Sequence, residues 1–357
     1  MRSLMMYVLI GTTAGSAVMA QDALTYSFNG RVGLGYLSEE TARPLSAGYQ
    51  YVGPVAKVEL TGRAEILAME DLRFGALGRI SYLRGNQSNF DLTLGGSTTG
   101  GSGSEFGGSE IDLAVYAALP SVTLSYGNME TAFDLATREI EQGSSLVDGG
   151  NAVWMNIGDA AGSTGVRTYP FEGPAVGLDF RTLRLDLQFG EVTFSASRSK
   201  AETTAGRVVE VDALGAIWRR ELENTVLFVA AGYDEGQDDR FRSFSFGLTS
   251  GGFNVVLNRI NRAPLVINSG ITGAYDTTFK GLSLSYDFRD LTLGFGHSSQ
   301  TPGPLGDRVF EGTAQAVFAS WQARENVSVD FEYSQSDYRI SSGFDTRKAS
   351  VAVALEF

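Results

Sequence analysis

The side chains with the most chemical potential in this sequence are charged ones at regular spacing. Arg31, Arg63 and Arg79 each fall mid-way along an alternating apolar–polar stretch, on its polar parity, with Lys57 and Arg73 on the same parity nearer the ends. A second group is acidic and confined to one segment. Glu130, Asp134, Glu139, Glu141, Asp148, Asp159 and Glu172 lie within residues 128–172, which hold only Arg138 and Arg167 as cations. An arginine wall facing a carboxylate-rich segment makes a transverse field. Such a field orients dipolar solutes and disfavours apolar ones, which cannot replace the ordered water they displace. Brought face to face, the two groups offer an electrostatic field and not bond-making chemistry.

Other chemistries fit poorly. The chain has no cysteine, which excludes disulfides, zinc–cysteine sites and thiol catalysis. Its one histidine, His297, shares the apolar parity of Leu291, Leu293 and Phe295. A hydrolase needs a histidine beside a nucleophile and an orienting partner, so the reading is of a protein that is not an enzyme and has no catalytic residue. Gly-rich runs such as "GLGY" and "GGSTTGG" lack the strand–Gly–Lys–helix setting of a phosphate loop. The carboxylates of 128–172 have the oxygen chemistry for Ca²⁺, but without EF-hand-like spacing no metal-ligand set is assigned and no cofactor is expected. With 41 acidic residues against 28 basic, a formal charge of −13, nucleic acid is not a partner. The acid excess points instead to a mild preference for cations.

Those side chains need elements to position them, and period two dominates from residue 23 onward. Leu24, Tyr26, Phe28, Val32, Leu34 and Tyr36 oppose Thr25, Ser27, Asn29 and Arg31; Val58, Leu60, Ala64 and Ile66 oppose Lys57, Glu59, Thr61, Arg63 and Glu65. This alternation signals strands. Dividing the chain at Gly, Asn, Asp and Pro clusters gives sixteen, near 24–37, 55–69, 72–84, 109–119, 121–127, 176–189, 191–199, 207–220, 225–234, 241–249, 253–262, 277–288, 291–299, 308–322, 327–335 and 346–357. The sixth switches parity between Phe180 and Leu183, which predicts a bulge or a later start. A soluble sandwich also alternates. Here, however, aromatics on the apolar parity, full charges on the polar parity, and short linkers alternating with long ones favour a transmembrane β-barrel.

Three further segments carry information. Residues 1–20, with Arg2, an apolar run from Leu4 to Ile10 and a small-residue end at Val18 and Ala20, read as a secretory signal cleaved after Ala20. This leaves 21–357 as the barrel. Residues 95–108 are low-complexity and read as a mobile surface loop. Within 128–172, "ETAFDLATREIEQG" reads as a helix capped by Thr131 with Asp134 three residues on, stopped at Gly143, with Phe133, Ala136 and Ile140 on one face.

In this layout the chain resembles the Gram-negative general porins, in particular the Rhodobacter-type porins of alphaproteobacteria. "YSFNGRVGLGY" resembles their first strand, "KVELTGRAEILAMEDLRFGALGRI" their second and third, "VTLSYGNMETAFD" the fifth running into the constriction loop, "RLDLQFGEVTFSAS" the pair after it, and "VAVALEF" the closing strand. The resemblance implies a 16-stranded antiparallel barrel in the outer membrane whose third extracellular loop, here about 128–172, folds inward. It also implies passive diffusion of ions and small hydrophilic solutes, and a homotrimer latched by the loop at 85–108. Val353, Leu355 and Phe357 would be the signal read by the barrel assembly machinery. In the constriction, Arg31, Arg63 and Arg79 would form the basic wall, and Glu130, Asp134, Glu139, Glu141, Asp148 and Asp159 the acidic loop. A substrate-selective channel, and a structural or surface-binding barrel with a plugged lumen, remain open as alternatives.

Overall fold

Alternating side chains suit a strand because successive Cβ atoms point to opposite faces, so one sequence can serve two environments. The computed structural model describes residues 24–42, 49–69, 71–86, 90–94, 97–101, 105–137, 181–202, 208–236, 239–264, 277–302, 311–339 and 344–357. The expected signal peptide lies outside them. In chain order the elements are β1 (Leu24–Ala42), β2 (Tyr49–Leu67), β3 (Arg73–Asn86), β4 (Phe90–Leu94), β5 (Ser97–Gly101), β6 (Glu105–Leu119), β7 (Val122–Gly127) and α1 (Ala132–Ala136). They continue as β8 (Arg181–Phe189), β9 (Val192–Glu202), β10 (Val208–Leu222), β11 (Thr225–Glu235), β12 (Asp239–Ser250) and β13 (Phe253–Pro264). The last are β14 (Thr277–Phe288), β15 (Leu291–Pro302), β16 (Glu311–Arg324), β17 (Val327–Arg339) and β18 (Phe344–Glu356).

Sixteen of these strands form one closed antiparallel barrel, in which each pairs with its neighbour in the chain and β18 returns to β1. They correspond one for one to the sixteen read from the sequence. β8 runs without a register break from Arg181, so among the described residues the expected sixth strand carries no bulge. The remaining two strands are a difference. β4 and β5 pair as a separate short hairpin inside the stretch read as a loop, and β6 begins at Glu105 rather than near 109. The β-branched Thr98 and Thr99 lie in β5 opposite Thr93 and Leu92, and such residues favour extended backbone even between glycines.

The two rims differ. Tight connections at 68–72, 120–121, 190–191, 223–224, 251–252, 289–290 and 325–326 gather at one rim, and the longer connections, of which 128–180 is the longest, leave from the other. Two-residue hairpin turns need positive φ, which Gly251 and Gly252 supply at 57° and 86°, and which Arg289 adopts at 56°.

The faces differ too. On β18, Val351, Val353 and Leu355 are exposed on the outside while Ser350, Ala352 and Ala354 are buried on the inside. Around the barrel the outer face carries a continuous apolar belt. At the tight-turn rim it ends in aromatics, among them Tyr26, Phe28, Phe189, Phe253, Phe288 and Trp321. Apolar area on this scale does not face water in a soluble monomer. The described helix is not long and apolar enough to cross a membrane.

Closure depends on a seam. β1 pairs with β18 from Arg31↔Glu356 to Ala42↔Asp345, and the ladder is completed by Gly30 N–H to Phe357 O at 2.8 Å and Phe357 N–H to Gly30 O at 3.0 Å. A side chain at position 30 would run into the Phe357 ring, which lies over that glycine and 6.2 Å from the Phe28 ring. Deleting Phe357 removes both hydrogen bonds and leaves the Gly30 groups unpaired, at about 1–3 kcal/mol for each unsatisfied buried group. The expected outcome is a lower unfolding temperature for the heat-resistant folded band on gels, with Phe357→Leu largely retaining it.

Candidate functional site

The inner wall is built by the polar parity of the strands, and its charges sit two residues apart so that they share a face. On β2, Lys57 lies 3.3 Å from Glu59, which also pairs with Arg79 of β3 at 3.3 Å. Lower on the same strand, Glu65 receives Arg63 at 2.8 Å and Arg73 at 3.3 Å. Tyr116 of β6 joins this group, accepting from Arg63 Nε at 2.9 Å and donating to Glu65 at 2.6 Å, with the Arg63 guanidinium over its ring. Room for that ring comes from Gly75, where any Cβ would strike it. Arg63 and Arg79 keep more than half of their side chains exposed, so the lumen still sees them.

Arg31 is placed differently from the other two. Its guanidinium turns toward β17, 2.8 Å from Asp330, a carboxylate only 2% exposed, and 3.7 Å from Glu356. Ser320 donates a second hydrogen bond to Asp330 at 2.6 Å. This arginine therefore spans the seam and ties β1 to β16, β17 and β18. Parity and height alone group it with Arg63 and Arg79. Asp330 stood on the correct parity, but nothing local marked it as a partner 299 residues away.

The loop after β7 begins with a built anchor. Gly127, at φ 147°, launches it where a Cβ would lie 2.1 Å from the Leu113 carbonyl oxygen. Thr131 caps α1 through the expected reciprocal pair with Asp134: Thr131 Oγ1 accepts from Asp134 N–H, and Asp134 accepts from Thr131 N–H at 3.0 Å. The helix then ends earlier than expected, at Ala136. Thr137 turns extended, and its hydroxyl bonds the Phe133 carbonyl at 2.8 Å and Ser243 at 2.6 Å. A tertiary contact to the wall, rather than Gly143, stops it. Residues 138–180 lie outside the described residues, and with them Ile140, Glu139, Glu141, Asp148 and Asp159.

α1 sits on the inner face of β9–β12. Phe133 is fully buried in an apolar cluster with Ala132, Ala213, Phe241, Ile260 and Phe279. Ala132 N–H donates to Ser197 at 2.9 Å. Gly215 and Gly232 make the seat: a Cβ on Gly215 would lie 2.2 Å from the Ala132 carbonyl oxygen, and one on Gly232 would meet the Phe133 ring at 2.9 Å.

Docking brings acids and bases together. Glu130, the first expected acid, has its carbonyl held by Arg184 at 2.7 Å, and Arg184 also pairs with Asp186 at 3.0 Å. The Glu130 side chain reaches the lumen, yet the surrounding wall removes much of its bulk solvent. Burial, and then the Asp134 carboxylate, push its carboxyl above the ordinary range, while Arg184 and Arg79 pull it back. Arg79, Glu130 and Asp134 thus share one electrostatic neighbourhood. Arg184 and Asp186 were missed in the sequence, although their i, i+2 spacing opposite Leu183, Leu185 and Leu187 was the available signal. Among the described residues no cluster of three or more His, Asp or Glu is arranged to hold a metal ion. His297 lies on the outer side of β15, level with Leu282 and Gln315, away from these groups.

Closed barrel, apolar exterior and charged interior define the class: a sixteen-stranded barrel made to sit in an apolar medium around a polar lumen. Its fold is that of the porins. A mutant of the Rh. blastica porin superimposes with a TM-score of 0.54 at 16% identity, over 93% of this chain and all of that one. A second porin crystal structure gives 0.57 at 12% identity, over 93% and 100%. Pseudomonas aeruginosa OccK7 (OpdD) gives 0.51 at 10%, over 92% and 99%. No family model and no curated protein sequence matches the chain.

Two substitutions separate the roles of these groups. Gly215→Val is expected to unseat α1 and raise single-channel conductance with little loss of barrel stability. Arg31→Gln is expected to do the reverse, since leaving a buried carboxylate unpaired costs about 3–5 kcal/mol. Bilayer recording and thermal unfolding of both variants check this.

Proposed function

We propose that this chain is an outer-membrane porin, a water-filled channel for passive diffusion of ions and small hydrophilic solutes. The observation that carries the reading is the inner wall itself. Its charged side chains include Arg63 and Arg79, each more than half exposed inside the closed barrel. Guanidinium groups held in an enclosed space keep their charge only where water reaches them, so a wall of this kind is a wetted one. A barrel of sixteen strands is wide enough to hold that water as a continuous column.

In this proposal residues 128–172 form the inward constriction loop, with α1 as its anchor. Arg63 and Arg79 face Glu130 across the opening, and Asp134 adds its charge from the buried helix cap. Arg31 contributes to the wall through the seam, and Glu139, Glu141, Asp148 and Asp159 complete the acidic side. The acid excess makes the channel mildly cation-selective. Residues 1–20 direct export, the strand bearing Val353, Leu355 and Phe357 is read by the barrel assembly machinery, and three copies associate through the loop at 85–108. The binding partners are outer-membrane lipid and the passing solutes, and no step requires a catalytic group.

Planar-bilayer recording of the purified protein tests the reading. Stepwise, ohmic, weakly selective conductance is expected; a protein that inserts but passes no current overturns it. The raised Glu130 pKa supplies a sharper check. Protonated below that pKa and charged above it, Glu130 should make cation selectivity rise with pH across a window above the ordinary carboxylate range of about 4.3. In Glu130→Gln this step in the reversal potential should vanish. The same sign governs docking: the folded loop binds the proton more tightly, so Glu130 supports it most fully at low pH and loses that contribution as pH rises through its folded pKa.

A further inference from the structure

With two exceptions, the large apolar side chains left exposed on the described strands belong to the outer parity. One exception, Leu67, ends β2 at a tight turn. The other is Leu77, in the middle of β3. The register sets it opposite Arg63 of β2 and Ala114 of β6, so it points into the lumen, and it is 40% exposed there. On the same face of β3 its neighbours are Arg79 and Gly75, and the Tyr116 ring lies over Gly75. Leu77, Ala114 and that ring make an apolar floor within a charged wall. Adjacent strands are about 4.8 Å apart and residues two apart on a strand about 6.8 Å, so the floor has about the area of one six-membered ring.

Charge beside this floor is unbalanced. Arg63 at 2.8 Å and Arg73 at 3.3 Å share one carboxylate, Glu65, so two guanidiniums answer a single acid. The Tyr116 hydroxyl donates to the same carboxylate and adds no charge. Arg63 keeps 52% of its side chain exposed and Arg73 45%, whereas Glu65 keeps 15%, so a solute at the wall meets the cations and not the acid. The excess of one positive charge matches a monoanion. An apolar body on that anion would take Leu77 out of contact with water, which is favourable in proportion to the area covered. We infer that Arg63, Arg73, Leu77 and Tyr116 form a binding site on the lumen wall for a monocarboxylate that carries one apolar ring. The guanidiniums hold the carboxylate through charge-assisted hydrogen bonds, and the ring lies on Leu77 and Tyr116. The site names a solute class for the proposed channel, and rests on that reading for the route by which the solute arrives.

The probe is para-fluorobenzoate, titrated against the full folded chain in detergent micelles and followed by fluorine NMR, with empty micelles as the blank. Saturable binding is expected. Fluoroacetate has the charge without the ring, and para-fluorobenzyl alcohol has the ring without the charge. Each should bind weaker by about tenfold or more, because the site rewards the combination. Arg73→Gln and Leu77→Ser should each weaken para-fluorobenzoate binding by about fivefold, the first through a lost ion pair and the second through lost apolar contact. Leu77→Ser should also narrow the gap between para-fluorobenzoate and fluoroacetate, which a general loss of folding would not do. Val226→Ser, on the inner face of β11 opposite Thr249, should change binding by about twofold or less. Should the variants fail to fold, the ranking of the three probes on the unaltered chain still decides. Equal affinity for either comparator, binding unchanged in both variants, or an equal loss in Val226→Ser would each overturn the assignment. Conductance recorded on the same preparations keeps the two readings apart. A conducting channel that does not bind para-fluorobenzoate sinks this inference alone, and binding without conductance sinks the porin reading alone.

Discussion

Everything in this molecule depends on pairing the last strand with the first. A sheet edge in an apolar medium leaves rows of N–H and C=O groups with no partner, at several kcal/mol each, so a strand protein there must close on itself. The β1–β18 ladder does this, and its end is finished by the Gly30–Phe357 pair of backbone hydrogen bonds. Arg31 reinforces the same junction from inside, where Asp330 and Glu356 come from the two strands that follow β1 around the barrel. Closure is therefore secured twice, by backbone outside the reach of side-chain chemistry and by one buried ion pair beside it.

Once closed, each strand must serve two solvents, and spacing of two is the way it does so. Lys57 and Glu59, Arg63 and Glu65, and Arg184 and Asp186 each place opposite charges side by side on the inner face. This makes the wall a mosaic of local fields in place of one block of positive potential. A mosaic holds its side chains in fixed orientations, and Arg63 and Arg79, both over half exposed, remain presented to the lumen. Glu130, whose carboxyl lies in the field of Arg79 and Arg184, is positioned by its backbone carbonyl on Arg184 rather than by its own carboxylate.

What could be read in the sequence follows the same logic. Sixteen strands and the segregation of tight turns from long loops were legible because period two and turn chemistry are local. The Thr131–Asp134 cap was legible for the same reason. The length of α1 was not, because Thr137 ends it by bonding Ser243, 106 residues further on. The role of Arg31 was hidden because parity gives a face but no partner. The β4–β5 hairpin was hidden by glycine-rich composition, which looks alike in a loop and in a hairpin.

Least legible was the change of polarity along β10–β13. Near the tight-turn rim these strands keep their apolar side chains outside. Toward the other rim Ala213, Phe241 and Ile260 point inward while Asp212, Arg242 and Arg259 point outward. No bulge separates the two regimes, for the register runs unbroken through all of them. The inversion is therefore written in side-chain identity alone. It has two consequences at one height: the inner wall becomes apolar enough to seat Phe133, and the outer wall becomes charged enough to leave the hydrocarbon. A hydrophobic anchor for the loop requires an apolar lumen wall, and an apolar lumen wall can be combined with a charged exterior only above the level where the exterior must be apolar. That constraint sets the height at which α1 docks.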